Sequence, residues 1–376
     1  MSDVRHLYLH LPFCAHRCGY CDFVTVVGRR EQHAGYVDAL LAELELERRV
    51  LAAPLETIFL GGGTPTFTEP SALERLLRAL PDAEEITVEA NPETVTQELA
   101  VLLRALGVNR VSLGVQSFRP RLLEVLDRVV QPDTVRRAFY HLRDAGFDNI
   151  SFDLIYGIPG QSPADLEADL DDALELGPEH LSCYELEAKP GTRFTHSHGR
   201  ELARQADELE GYFELVVERL TASGYRWYET ANFCRAQERT DGRDLRSRHN
   251  LGYWLGHDYL GLGVGAVSTV AGRRWRNTPQ LPAYLRALLE DKARPKREVE
   301  PLPAEVARRE RVMLGLRLDE PLELSGLADV VDSDAMSRLG RLGLLRHEQD
   351  ESGRAVLSLT PRGRRLGGGV TVDLLS

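Results

Sequence analysis

From its start to about residue 187 the chain alternates short apolar runs with amphipathic stretches, and this alternation constrains the fold more than any other feature. Runs that read as strands are Leu7–Leu11, Thr57–Leu60, Ile86–Glu89, Arg110–Val115, Ile150–Leu154 and His180–Glu185. Between them lie helical patterns at Tyr36–Val50, Leu73–Leu80, Gln97–Leu106, Thr134–Ala145 and Ala164–Leu176. Strand–helix alternation of this kind implies parallel βα units. Six such units make most of a (β/α) barrel, so the expected class is α/β, a partial (β/α)6 barrel of TIM type.

The polar and glycine-rich sequences fall where those strands end. A cysteine loop follows the first strand and Gly61-Gly62-Gly63-Thr64-Pro65 the second. Glu89-Ala90-Asn91-Pro92 ends the third, Gly114-Val115-Gln116-Ser117-Phe118 the fourth, and Asp153-Leu154-Ile155-Tyr156-Gly157 begins the exit from the fifth. Parallel strands bring these ends to one rim, where ligands of such barrels bind.

The cysteine loop reads Cys14-Ala15-His16-Arg17-Cys18-Gly19-Tyr20-Cys21, three of the chain's five cysteines in eight residues. Three thiolates on one loop suit a cubic iron–sulfur cluster, each reaching a different iron. Protein-only clusters take four cysteines, so three leave one iron open to an outside ligand. The same loop with His10 or His16 could instead hold zinc, although a second distant Cys pair is then usual and Cys183 and Cys234 stand alone. An odd cysteine count in a long chain argues against a disulfide framework.

With 46 Lys plus Arg against 58 Asp plus Glu, the 376-residue chain carries a net charge of −12. That balance excludes a general nucleic-acid binder, which would show a basic face. No stretch nears the about 18 apolar residues of a spanning helix. The N-terminus has no secretory pattern and clustered free cysteines suit a reducing compartment, so a cytoplasmic protein is expected.

At the rim, three successive glycines remove three Cβ atoms and let backbone amides approach a ligand, although in isolation they read first as a plain tight turn. Glu89, Gln116 and Asp153 place a carboxylate, an amide and a carboxylate at three strand ends. Arg128, expected on the next helix, can pair with a ligand carboxylate. Taken singly these are caps or surface residues; together they offer partners for an amine, a carboxylate and a ribose.

The cysteine spacing, triple glycine and polar strand ends resemble the radical S-adenosylmethionine (SAM) superfamily. In that family SAM's amino and carboxylate groups occupy the open iron, and an electron from the 4Fe–4S cluster cleaves SAM reductively. The resemblance implies Cys14, Cys18 and Cys21 as cluster ligands and SAM contacts at Tyr8, Gly62, Gly63, Thr64, Glu89, Gln116, Arg128 and Asp153. His6-Leu7-Tyr8-Leu9-His10-Leu11-Pro12-Phe13, Gly-Gly-Gly-Thr-Pro-Thr, Gly-Val-Gln-Ser-Phe and Asp-Leu-Ile-Tyr-Gly-Ile-Pro-Gly narrow it to the oxygen-independent coproporphyrinogen III oxidase-like group.

Within that group, true dehydrogenases resemble one another in a further cysteine two residues past the third and in a longer N-terminal arm. Here Phe23 stands at that position and 13 residues precede Cys14, which resembles the HemW, or heme-chaperone, branch. His249-Asn250-Leu251-Gly252-Tyr253-Trp254 is similar to that branch's His-Asn-x-x-Tyr-Trp motif. The resemblance implies heme contact at His249, Asn250, Tyr253 and Trp254, with delivery to recipient heme proteins and an electron donor as partners. A neutral imidazole can ligate heme iron and aromatic rings can line a macrocycle, though without the resemblance the motif reads first as a structural turn. Arg235, Arg239, Arg243, Arg246, Arg248, Arg273, Arg274 and Arg276 are candidates for heme propionates. Rival readings are radical decarboxylation of coproporphyrinogen III, a heme-opening enzyme and a zinc protein.

The expected domains are a barrel core over 1–235, a connecting region with the His-Asn motif over 236–300, and a small winged-helix-like α+β unit over 301–376. The first two meet in a long charged loop from Cys234 to Arg248. Within this second half a helix is expected over Leu202–Ser223, a hairpin over Leu344–Leu359 and a glycine-rich tail.

Overall fold

A computed structural model describes residues 4–128, 130–189, 193–236 and 242–375. Strands β1 (His6–Leu11), β2 (Leu55–Gly62), β3 (Ala83–Ala90), β4 (Arg110–Gln116), β5 (Ile150–Tyr156) and β6 (His180–Glu185) pair in parallel and in chain order. These are the six strands expected from the apolar runs. Most of their residues are buried on both faces, because helices cover the outside and side chains fill the inside.

The sheet does not stop there. Beyond β6 it adds β7 (Tyr225–Glu229) and β8 (Asn232–Arg235), in the order β6-β8-β7, both pairings antiparallel. On the other side β9 (Tyr259–Leu262) pairs with β1 in parallel. Antiparallel strands β10 (Val267–Val270), β11 (Arg273–Asn277) and β12 (Arg297–Pro301) follow it outward. The stretch read from sequence as a connector therefore supplies a seventh parallel strand and the edge of the same sheet. Its period-2 pattern is masked by Gly261, Gly263 and Gly265.

Helix ends follow local chemistry. Ser162 caps the helix Pro163–Leu176 in a capping box with Asp165, and Gly177 ends it in a left-handed conformation at φ 65°. The helix expected over Leu202–Ser223 is two helices, Arg193–Gln205 and Leu209–Ala222, separated by a tight turn. The break lies where Gln205 and Tyr212 both bond to the loop after β5: Gln205 Nε2 donates to Gln161 O at 3.0 Å and Tyr212 Oη to the same oxygen at 2.7 Å.

From 304 onward a helix (Ala304–Gly315), β13 (Leu322–Glu323), a helix (Ser333–Arg341), β14 (Leu345–Gln349) and β15 (Ala355–Leu359) follow in winged-helix order, with the sheet arranged β13-β15-β14. The glycine-rich tail is a helix, Gly367–Leu375, because Val370 and Leu374 bury into this unit's own apolar cluster. Arg226 clamps Asp319 at 2.8 and 2.9 Å, and Arg317 reaches the buried Glu229 at 2.6 Å, fastening the unit to β7.

Candidate cofactor site

At the C-terminal ends of β1–β6 lies a cavity of about 780 Å³, within the range of small-molecule sites. Its wall includes Cys14, Cys18 and Cys21 and every residue expected to touch SAM: Tyr8, Gly62, Gly63, Thr64, Glu89, Gln116, Arg128 and Asp153. These residues come from the ends of β1–β5, the cysteine loop, the glycine turn and the segment after the helix Pro120–Val125, and the parallel order of the sheet is what brings them together.

The glycines are required sterically. A Cβ on Gly63 would meet the carbonyl carbon of Pro12 at 2.6 Å, one on Gly61 the Glu89 carboxylate at 2.9 Å, and one on Gly62 the His10 ring. Gly62 also sits at φ 106°, open to glycine almost alone. The turn lies flat against the end of β1, which carries the cysteine loop. Gly63 N donates to Leu11 O at 2.8 Å and Thr64 N to Phe13 O at 2.9 Å.

A polar chain supports the thiols. Arg128 donates to Asn91 Oδ1 at 3.0 Å and to Gly114 O at 2.7 Å, with its guanidinium 3.8 Å from Cys18 Sγ. Asn91 Nδ2 donates to Thr64 Oγ1 at 2.9 Å, and the Thr64 hydroxyl points at Cys14 Sγ at 3.6 Å. Arg128 follows the helix Pro120–Val125 rather than lying on it, and a turn aims it inward. Burial pushes the Cys14 thiol up to about 11, so a bound metal would have to displace that proton. Three thiols with hydrogen-bond donors behind them, facing a cavity with glycine walls, fit a cluster with one open position better than a closed zinc tetrahedron.

The interior below is electrostatically tight. Glu89 accepts from Gly62 N at 3.0 Å, and burial with the nearby Asp153 raises its carboxyl to about 7. Asp153, raised by burial, accepts from Ser112 Oγ at 3.1 and 3.2 Å. Beside them lies Arg110, 2 % exposed, whose charge opposes the upward shift of both carboxyls. Gln116 sits at φ 67°, where β4 and β5 slip register between Gly114 and Gln116. Left-handed backbone at a non-glycine residue is uncommon and clusters at ligand sites.

Sequence reasoning missed Arg110, Ser112, Asn91, Ser182 and Tyr184, all on the cavity wall. A signal was present: Arg110, Ser112, Gly114 and Gln116 are alternate residues of β4 and all face inward, a polar stripe on a buried strand.

The His-Asn motif begins a short helix, Arg248–Trp254, capped by Ser247. His249, Asn250 and Tyr253 reach the cavity wall, but Trp254 does not. Trp254 packs edge-on to Tyr228 in a separate apolar cluster with Cys234 and Leu251. Both nitrogens of His249 are engaged: Nδ1 shares a hydrogen bond with Thr57 Oγ1 at 2.7 Å and Nε2 one with Tyr253 Oη at 2.9 Å. The ring stacks on Phe59 at 5.0 Å, and burial holds its pKa down at about 3, so it is neutral. It is a wall residue that holds Tyr253, and neither nitrogen is open toward an iron.

The arginines offered for propionates are mostly occupied elsewhere. Arg235 binds the carbonyls of Gly177 and Pro178, Arg243 pairs with Asp148, Arg246 with Asp244 and Glu320, Arg248 with Glu84, and Arg274 with Glu310. Arg239 lies outside the described residues, and Arg273 lines neither cavity. Among the described arginines of this set, Arg276 reaches an annex of about 230 Å³ that shares Tyr8, Asp22, Phe23 and Tyr253 with the main cavity. Phe23, 61 % exposed, stands at the mouth of both.

Comparison with known proteins agrees with this geometry. The sequence profile of the radical SAM superfamily matches residues 8–173. The heme chaperone HemW of Mycobacterium tuberculosis is 38 % identical over 98 % of this chain and 94 % of its own length. That of Bacillus subtilis is 37 % identical over 84 % and 83 %. The solved structure of coproporphyrinogen III oxidase (HemN) from Escherichia coli, a radical SAM enzyme, superposes with a TM-score of 0.77 at 23 % identity, covering 100 % of this chain and 91 % of that one. At that identity the likeness speaks for the fold alone.

Proposed function

The chain belongs to the HemW family of radical SAM proteins, and from that membership we propose that it is a heme chaperone that binds a 4Fe–4S cluster, SAM and heme and passes heme to recipient proteins. The observation that carries this reading is convergence: the three thiols, the glycine turn, the polar strand ends and the His-Asn helix share one cavity. Cys14, Cys18 and Cys21 would hold the cluster, which when reduced supplies an electron to SAM. Thr64 and Arg128 would support the sulfurs, while Glu89, Gln116 and Asp153 would bind the amine and ribose of SAM.

Heme would meet the wall formed by Asn250 and Tyr253, with His249 fixing Tyr253 from behind. Phe23, where a dehydrogenase of this group would carry another cysteine, is an exposed ring at the entrance and offers a flat apolar surface to a macrocycle. Arg276, in the annex, is the arginine best placed for a propionate. No helix among the described residues is long and apolar enough to cross a membrane. Five free cysteines, three of them clustered, support a reducing compartment such as the cytoplasm.

The test is anaerobic reconstitution, followed by heme titration and a coproporphyrinogen assay on the same preparation. One heme bound per chain without loss of propionate carboxyls from coproporphyrinogen III supports the proposal. Turnover to protoporphyrinogen IX in the presence of SAM and reductant would replace it with the dehydrogenase reading.

A further inference from the structure

At the opposite end of the barrel from the cysteines, the N-terminal ends of three neighbouring parallel strands bring together His6, Glu56 and His257. His6 opens β1, Glu56 is the second residue of β2, and His257 lies two residues before β9. Their donor atoms all lie within 4.8 Å of one another. His6 Nε2 stands 3.0 Å from His257 Nδ1 and 3.6 Å from Glu56 Oε2. We propose that this trio is a binding site for a divalent transition-metal ion of the zinc class, separate from the cluster site and independent of the chaperone reading.

The distances suit that ion. Zinc sits about 2.0–2.2 Å from imidazole nitrogen and carboxylate oxygen, which in tetrahedral geometry sets ligand atoms about 3.4 Å apart. The two observed separations straddle that value, so small side-chain rotations would seat the ion. Two histidines and a glutamate are a donor set that zinc uses when its fourth position is left to water. Here the exposed His257 leaves that position toward solvent.

The surrounding atoms orient the donors. Thr57 Oγ1 takes the other nitrogen of His6 at 2.9 Å, leaving Nε2 to face the site. Arg5 holds Glu56 Oε1 at 2.8 Å and so turns Oε2 toward His6. Gly252, inside the His-Asn motif, makes the room: a Cβ there would meet His6 Nε2 at 2.9 Å. An ion at this position would tie β1, β2 and the turn after the His-Asn helix into one unit. Through Thr57 and His249 it would also be linked to Tyr253 on the cavity wall.

The experiment is calorimetric titration of Zn²⁺ into the cluster-loaded protein, with iron, sulfide and zinc measured after gel filtration. Wild type should take up one zinc per chain without losing iron. His257→Ala, at an exposed position where folding is not at risk, and Glu56→Gln should each weaken that binding by at least about 100-fold, the upper end of what losing a residue that merely orients a ligand costs. Iron and sulfide should stay at the wild-type level in both. Zinc uptake that survives in either variant, or that displaces cluster iron in wild type, would overturn the assignment.

Discussion

Replacing His249 by alanine separates two roles that the sequence motif leaves open. The imidazole is 1 % exposed, bonds Thr57 and Tyr253 through its two nitrogens, and lies between Phe59 at 5.0 Å and Tyr253 at 4.9 Å. Each lost hydrogen bond costs about 1 kcal/mol, and the void left by a stacked ring about 2–3 kcal/mol more. The expected destabilisation is therefore about 4–5 kcal/mol, which for a chain of this length lowers Tm by roughly 5–10 °C. The gap should also depend on pH. Because the folded pKa of His249 is near 3 and the unfolded one near 6.5, its contribution is complete above pH 6.5 and declines as pH falls toward 3. The assay is urea and thermal unfolding of cluster-loaded protein at pH 5 and 7.5, with heme titrated at the Soret band below the variant's melting point. Tyr253→Phe, which loses one bond, should weaken heme binding at least as much as His249→Ala. A His249→Ala protein with wild-type Tm and an altered heme-iron spectrum would refute this reasoning and make His249 an axial ligand.

Cys18→Ala should remove the brown absorption of the cluster, checked by iron and sulfide analysis; full iron would break the ligand assignment. Gly63→Ala should cost about 1–3 kcal/mol by overpacking, because its Cβ meets the Pro12 carbonyl at 2.6 Å. The strain falls on the strand end that carries the cysteines, so cluster content after reconstitution should drop together with the thermal midpoint. Glu43 is fully buried and held by Gly263 N, Asn277 and Tyr284, and burial raises it to about 7. A carboxyl raised on folding stabilises most below its unfolded pKa and loses that contribution as pH rises to 7. Denaturant midpoints between pH 4.5 and 7 should therefore fall less steeply with pH in Glu43→Gln than in wild type.

The six-strand frame was legible because buried parallel strands leave dense apolar runs such as Ile150–Leu154 and the rim loops leave glycine and carboxylate punctuation. Strand β9 was not, since its partner is β1, some 250 positions away, and four residues with a glycine among them carry little pattern. The cavity residues at loop positions were readable, whereas Arg110 and Ser112 were overlooked as ordinary strand residues, although their spacing of two marks one face. Direction was the other loss. His249 and Trp254 are five positions apart on one short helix, and sequence adjacency put both on heme. The helix turns Trp254 into the Tyr228 cluster and locks His249 from both sides.

The carboxylates of the cavity make a final, separable demand on SAM binding. Glu89 near 7 is part protonated at neutral pH, because burial and Asp153 outweigh Gly62 N–H and Arg110. A ligand that brings a positive charge into contact with it must lower that pKa, since an opposite charge favours the ionised form. Binding at pH 7 should then release a fraction of a proton, more at pH 6.5 and less at pH 8, where Glu89 is already ionised. Calorimetry of SAM binding in buffers of different ionisation enthalpy measures this directly on cluster-loaded protein. In Glu89→Gln the buffer dependence should vanish and affinity should fall by about 10–100-fold, the loss of one charge-assisted hydrogen bond. Equal heats in all buffers for wild type would mean that the amine and ribose of SAM lie elsewhere in the cavity and that Glu89 serves only to hold the glycine turn.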